Sequence, residues 1–183
     1  MAALLFIVET LFTLYIGLYY LRLLMQMVRA NFRSPPAVAI VSLTNPLILP
    51  LRRVLPPMGK IDSATILSIV LLTIAKVAVI RMLAGVPMPT PLGWVVWVAQ
   101  DIVVTVLWVL FWCILLSALI NFLTQGARTV VTELLHSISE PVLRPIRRYI
   151  PSYVGGFDLS YLWAGILIQA LIILINTSIP PIL

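Results

Sequence analysis

Four long apolar segments divide this chain, and each is long enough to cross a lipid bilayer as an α-helix. They cover residues 4–28, 64–83, 94–121 and 159–175. A spanning helix needs about 20 mostly apolar residues. The pattern therefore predicts an all-α integral membrane protein with four spans, the first of which is retained rather than cleaved as a signal peptide.

The segments that follow spans one and three have an amphipathic pattern instead. In residues 127–138, apolar side chains recur at helical spacing on one face, and polar residues such as Glu133 and His136 occupy the other. A helix of this kind lies in the plane of the membrane interface rather than crossing it. The first copy is less regular, but Ser34 followed by Pro35 predicts the start of a helix there.

The same phrase occurs in both of these segments. Residues 45–56 read NPLILPLRRVLP, and residues 140–151 read EPVLRPIRRYIP. The matched residues, at a spacing of 95, are Pro46, Pro50, Arg52, Arg53 and Pro56 in the first copy and Pro141, Pro145, Arg147, Arg148 and Pro151 in the second. A glycine and an aspartate follow at a spacing of 96, as Gly59 and Asp62 and then as Gly155 and Asp158. In each copy, the second proline is predicted to begin a short second helix and the last proline to end it.

This self-similarity predicts two copies of one structural unit, residues 1–91 and residues 92–183. Each unit comprises a span, an interfacial amphipathic segment and a second span. Because each unit has two spans, both copies face the same way, and a pseudo-twofold axis along the membrane normal relates them.

Composition supports a membrane protein and excludes several other classes. The chain is 62% hydrophobic and only 10% charged, with a mean hydropathy of +1.12, whereas soluble domains are about half apolar and a quarter charged. Its net charge of +6 is expected to meet anionic lipid headgroups. Nucleic acid is not expected, because no aromatic platform accompanies the charge. The single cysteine, Cys113, allows no disulfide framework within the chain.

Positive charge predicts the orientation. The two loops that carry the repeated phrase contain most of the basic residues, which are Arg29, Arg33, Arg52, Arg53, Lys60, Arg128, Arg144, Arg147 and Arg148. Short loops rich in lysine and arginine stay on the cytoplasmic side. Both loops are therefore predicted to be cytoplasmic, and both termini to lie on the opposite side.

The basic residues of the repeated phrase are the first candidate site. The residues expected to bind lipid or a partner protein are Arg52, Arg53, Lys60, Arg144, Arg147 and Arg148. The planar guanidinium group holds a phosphate through several donors at once. Asp62 and Asp158 stand where spans two and four begin, and can accept from free backbone N–H groups or fix a neighbouring arginine. The simpler alternative is that the arginines only set the topology.

Four charged residues within or beside the spans form the second candidate site: Glu9, Arg22, Lys76 and Asp101. A charge in the hydrocarbon region costs at least a few kcal/mol and normally faces a partner or water. Glu9, Lys76 and Asp101 are expected at similar depth, so Lys76 is predicted to pair with one of the two acids. Arg22 lies nearer the cytoplasmic edge and is expected to extend toward it. A static ion pair and a polar path for ions or protons both remain open.

The doubled Pro-x-x-x-Pro-x-Arg-Arg-x-x-Pro phrase, with its glycine and its aspartate at the next span, resembles the YggT family of small bacterial membrane proteins. The resemblance covers essentially the whole chain. It implies a multi-pass protein of the bacterial inner membrane, with periplasmic termini and no established chemistry. Members and their YlmG relatives are linked to cell division, envelope organisation, osmotic or potassium homeostasis and, in plastids, haem attachment. Haem attachment is not expected here, because the chain has no Cys-x-x-Cys-His motif.

Two functions are consistent with these observations. The first is a non-enzymatic membrane scaffold that binds anionic phospholipid headgroups, or a cytoplasmic or divisome protein, through the doubled arginines. The second is an oligomeric conduit for ions or osmolytes lined by Glu9, Lys76 and Asp101. Neither function requires a cofactor or a metal, and the sequence shows no nucleophile–base arrangement or glycine-rich phosphate loop.

Overall fold

The computed structural model describes residues 2–55, 62–124, 129–149, 153–154 and 157–178, and within them the chain is almost entirely helical. The helices are α1 (Ala2–Met27), α2 (Pro35–Val54), α3 (Ser63–Ala84), α4 (Pro91–Leu123), α5 (Val130–Tyr149) and α6 (Ser160–Ser178). Two strands of two residues each, β1 (Tyr153–Val154) and β2 (Phe157–Asp158), pair antiparallel just before α6. The predicted all-α class is confirmed.

Four of the helices are long and apolar enough to span a membrane. They are α1, α3, α4 and α6, whose ranges match the four apolar segments to within three residues at every end. Most of their residues are not buried inside the protein, as expected for spans that contact lipid tails. The protein is therefore a multi-pass membrane protein with four spans.

The prediction of a second short helix beginning at each inner proline is wrong. Both α2 and α5 continue unbroken through their prolines, Pro46 and Pro50 in the first and Pro141 and Pro145 in the second. All four prolines are exposed. The missing N–H groups therefore lie on the face turned away from the protein interior. The opposite face is anchored by buried residues, among which Ile48 and Leu143 are fully inaccessible, and this packing outweighs the proline penalty.

The two repeats are built alike. In the first repeat α1, α2 and α3 pack on one another, and in the second α4, α5 and α6 do the same. Positions that match between the repeats are buried in both, as for Thr44 and Ser139 or Ala64 and Ser160. The repeats meet mainly through contacts of α4 with α1 and with α3. A Cβ atom added at Gly17 of α1 would lie 3.6 Å from the Val109 side chain of α4. A small residue there allows the two spans to approach closely.

The turn that joins the repeats begins at a left-handed residue. Gly85 has a φ of 67° and directly follows α3. Its N–H donates to the carbonyl of Met82, and the N–H of Val86 donates to that of Arg81, which is the Schellman arrangement. The Arg81 side chain folds over the same turn, donating to the Pro87 carbonyl at 2.9 Å.

Replacing Gly85 with alanine is expected to lower the free energy of unfolding by roughly 1 kcal/mol. An added Cβ would meet no atom within 4 Å, so the whole effect comes from forcing a side chain into the left-handed region. Equilibrium unfolding in mixed detergent micelles measures it. Gly165→Ala is the control, since Gly165 has no positive φ. A larger loss for Gly165→Ala than for Gly85→Ala would contradict the assignment.

Candidate functional site

In the first repeat, the end of α2 is tied to the start of α3 by an arginine and an aspartate. Arg52 donates through Nε and Nη2 to Oδ2 of Asp62, at 3.0 and 2.6 Å. The same oxygen accepts from the Thr65 hydroxyl at 3.0 Å, and the Asp62 N–H donates to Oε1 of Gln26 at 3.3 Å. These bonds hold α1, α2 and α3 together at one end of the repeat. We call the Arg52–Asp62 pair the first clamp.

The second repeat has the matching pair. Arg147 donates through Nε and Nη2 to Oδ2 of Asp158, at 3.0 and 2.8 Å. Its Nη1 also donates to Oε2 of Glu140 at 2.9 Å, and its Cζ lies 5.8 Å from the ring centroid of Tyr161. Oδ1 of Asp158 accepts from the Ser160 N–H at 2.9 Å, as predicted for an aspartate at a helix start. We call the Arg147–Asp158 pair the second clamp. It forms although this repeat has one extra residue between arginine and aspartate.

Electrostatics keep both clamps charged. Burial alone would raise the pKa of the Asp62 carboxyl, but hydrogen bonds from Arg52 and Thr65 outweigh it and lower that pKa. The pKa of Asp158 is also lowered, because its hydrogen bonds with Ser160 and the attraction of Arg147 exceed the effect of burial. A carboxyl group whose pKa is lower in the folded protein than in the unfolded protein stabilises the fold at any pH above its unfolded-state pKa. This stabilisation is therefore present at neutral pH. It is lost as pH falls below about 4.

The second arginine of each pair has a different environment from the first. Arg53 and Arg148 are exposed, as is Arg144 one turn earlier on α5. The first arginines are held by aspartates whose side chains are 4% exposed for Asp62 and 12% exposed for Asp158, although the side chain of Arg52 is itself 39% exposed, against 23% for Arg147. Five of the residues singled out from the sequence, Pro56, Gly59, Lys60, Pro151 and Gly155, lie outside the described residues.

Arg22 extends from α1 to α2, the helix predicted to lie at the membrane interface. Its side chain is 3% exposed and lies between α1 and α2. Nη1 donates to the Thr44 hydroxyl at 2.7 Å and to Oδ1 of Asn45 at 2.9 Å. It is held by polar acceptors on α2, because a buried guanidinium group requires hydrogen-bond partners and the amphipathic helix supplies them.

Sequence reasoning missed the role of the residue that precedes each repeated phrase. Asn45 accepts from Arg22, whereas its counterpart Glu140 accepts from Arg147. The counterpart of Arg22 is Ser117, so the arginine and the amide change together between the repeats. In the second repeat, the buried Ser139 hydroxyl, which matches Thr44, has no hydrogen-bond partner among the described residues. The sequence contained one indication of this contact, since residues 22 and 45 both differ in type from their counterparts, residues 117 and 140.

Lys76 pairs with Asp101 and not with Glu9. Its Nζ lies 2.6 Å from Oδ1 of Asp101, and the two side chains are 4% and 10% exposed. Oδ2 of Asp101 is buried and has no hydrogen-bond partner within the part of the chain that the structure describes. Glu9 is half-buried on α1 and makes no hydrogen bond or ion pair with the other described residues. Of the three residues predicted to lie at a common depth, Lys76 and Asp101 are therefore in contact, and Glu9 is not part of the pair.

Comparison with known proteins agrees with the doubled architecture. The family model described as CCB3/YggT matches residues 1–83 and again residues 96–179. An uncharacterized protein from the proC 3′ region of Vibrio alginolyticus is 36% identical, over 97% of this chain and 95% of its own length. Uncharacterized protein YggT of Escherichia coli K12 is 32% identical, over 100% of this chain and 92% of its own length. An uncharacterized protein of Pseudomonas aeruginosa is 31% identical, over 97% of this chain and 90% of its own length. No solved structure matches. With two matched repeats and relatives aligned along nearly the whole chain, this protein belongs to the CCB3/YggT family.

Proposed function

We propose that this protein is a non-enzymatic membrane scaffold that binds anionic phospholipid headgroups through the outward arginines of α2 and α5. One observation carries the proposal: in both repeats the first arginine of the pair is clamped to an aspartate, and the second is left exposed at the end of an amphipathic helix. A pair that served only to set topology would need positive charge alone. It would not need the same clamp in both repeats.

Lipid is the partner that fits this surface best. The clamps tie the ends of α2 and α5 to the starts of α3 and α6, so Arg53 and Arg148 are placed beside the ends of two spans. We place this end of the bundle on the cytoplasmic side of a bacterial inner membrane, because most of the basic residues lie there. Arginine binds phosphate oxygens through several donors in fixed geometry. Such a surface would organise anionic lipid around the protein in the membrane envelope, and a cytoplasmic or divisome protein would be recruited to the same surface.

Replacing Arg53 and Arg148 together with glutamine is expected to weaken retention of phosphatidylglycerol by roughly tenfold or more. Each arginine near an anionic membrane surface contributes about 1 kcal/mol, and 1.4 kcal/mol corresponds to a factor of ten. Native mass spectrometry of the purified protein, with phosphatidylglycerol and phosphatidylcholine of the same acyl chains in competition, measures the retained lipid.

The matched control removes two other exposed arginines at the same end of the bundle. Arg29→Gln with Arg33→Gln changes the net charge by the same amount but leaves the ends of α2 and α5 intact. We expect this control to retain most of the phosphatidylglycerol. Equal losses in both double variants would show a general charge effect and would remove the support for a shaped site.

A second candidate function, an ion or osmolyte pathway in an oligomer, has one observation in its favour. The buried Oδ2 of Asp101 has no hydrogen-bond partner among the described residues, so this carboxylate has an unused acceptor deep in the bundle. The scaffold has stronger support, because Lys76 and Asp101 form a close pair that does not reach Glu9.

A further inference from the structure

We infer that the two repeats bind headgroups unequally, and that the phosphate of an anionic lipid is held mainly in the first repeat, by Arg52 together with Arg53. In the second repeat, the carboxylate of Glu140 occupies the position beside Arg147 that the phosphate would occupy beside Arg52. This inference rests on the proposed function, and it assigns to each repeat a different share of that function.

The two clamping arginines differ in the use of one nitrogen. Arg147 directs Nε and Nη2 to Asp158 and Nη1 to Glu140. Arg52 directs Nε and Nη2 to Asp62 in the same way, but its Nη1 donates to none of the described residues. The side chain of Arg52 is 39% exposed, against 23% for Arg147. The first repeat therefore presents an accessible donor where the second supplies its own carboxylate.

The amide that could have filled this place is engaged elsewhere. Asn45 matches Glu140, but its Oδ1 accepts from Nη1 of Arg22. Asn45 is also neutral, so the first repeat lacks the negative charge that balances Arg147 in the second. At the matched positions the first repeat has three arginines and one aspartate, which are Arg22, Arg52, Arg53 and Asp62. The second has three arginines and two carboxylates, which are Arg144, Arg147, Arg148, Glu140 and Asp158. The first repeat therefore has one more positive charge at these positions than the second, and an added anion would balance it.

The surroundings of Arg52 suit a lipid rather than a free phosphate ion. Leu49 precedes Arg52 and Arg53 by three and four residues, so it lies on the same side of α2, and it is 53% exposed. An acyl chain would contact this leucine while the phosphate meets the arginines. The counterpart of Leu49 is Arg144, so the second repeat has no apolar residue at that place. Helix α2 also contains no acidic residue, whereas α5 contains Glu133 and Glu140.

The test exchanges the distinguishing residue between the repeats. Asn45→Glu is expected to weaken binding of phosphatidylglycerol by about tenfold, because the added carboxylate, which has Arg22 and Arg52 as partners, supplies the negative charge that Glu140 supplies in the second repeat. Asn45→Gln, which has the same length without the charge, is expected to bind within about twofold of the wild-type protein. Native mass spectrometry with phosphatidylglycerol and phosphatidylcholine is the readout, as for the proposed function.

Glu140→Gln provides a second variant, for which the predicted change is an increase in binding that loss of folding could not produce. It is expected to increase the retained phosphatidylglycerol, because it removes the internal carboxylate from Arg147. If the wild-type protein shows no preference for phosphatidylglycerol, both the inference and the proposed function fail. If it shows that preference but Asn45→Glu and Asn45→Gln bind equally, or Glu140→Gln gives no gain, only the inequality of the repeats fails. Displacement of the lipid by excess inorganic phosphate would overturn the assignment to lipid.

Discussion

Replacing Lys76 with methionine is expected to lower the free energy of unfolding by about 3–5 kcal/mol, the usual effect of removing one partner of a buried ion pair. Lys76 and Asp101 meet at 2.6 Å with side chains that are 4% and 10% exposed. Methionine fills a similar volume, so the loss comes from leaving the Asp101 carboxylate buried without its partner. Equilibrium unfolding in mixed detergent micelles, followed by circular dichroism, measures the change.

The control replaces both partners. In Lys76→Met with Asp101→Leu no charge is left behind, and we expect this double variant to recover most of the stability. Ion flux in vesicles reconstituted with the wild-type protein and the single variant separates the static pair from a conduit. A static pair predicts no flux in either protein. A single variant as stable as the wild type, with altered flux, would contradict it and would favour the conduit.

Replacing Arg147 with methionine is expected to lower the free energy of unfolding by about 2 kcal/mol, whereas the same change at the adjacent Arg148 is expected to have an effect within about 0.5 kcal/mol. Arg147 donates to two carboxylates, those of Glu140 and Asp158, and both would lose this partner. Glu140 is 32% exposed and remains partly solvated, so the loss is smaller than for a fully buried pair. Arg148 is exposed, and its Cζ lies 6.0 Å from the ring centroid of Tyr149.

The first repeat gives an independent comparison for this prediction. Arg52→Met is expected to be less destabilising than Arg147→Met, because Arg52 holds one carboxylate and not two. Arg53→Met is the exposed control. Unfolding under the same conditions compares the four variants. Equal losses for adjacent arginines in either repeat would contradict the different roles assigned to them.

The sequence predicted the spans and the doubled organisation well, because long apolar runs and a repeated phrase can both be recognised without knowledge of contacts between helices. It also placed Asp62 and Asp158 at the starts of spans and named anchoring of an arginine as one of their possible roles. Which arginine of each pair is clamped was not predictable. That choice depends on the rotation of α2 against α3, and the two residues are adjacent in the sequence.

The same limit applies to the charges inside the bundle. Helices that are apolar on every side have no hydrophobic face to fix their rotation, so Lys76 could be assigned to a depth but not to Glu9 or Asp101. The partners of Arg22 were not predicted, because its acceptors, Thr44 and Asn45, lie on another helix and carry no charge. The unbroken course of α2 and α5 was missed for a different reason. Proline stops a helix in isolation, whereas here the rings are exposed and the opposite face is packed.

The different roles of the two arginines in each pair are tested most directly by unfolding in phosphatidylcholine bicelles with and without phosphatidylglycerol. A lipid that binds the folded protein raises its stability, so the increment reports binding. The variant with Arg53→Gln and Arg148→Gln is expected to match the wild type without phosphatidylglycerol and to lose most of the increment. The variant with Arg52→Gln and Arg147→Gln is expected to be less stable from the outset. An outer-arginine variant that is unstable in phosphatidylcholine, or that keeps the full increment, would contradict this assignment.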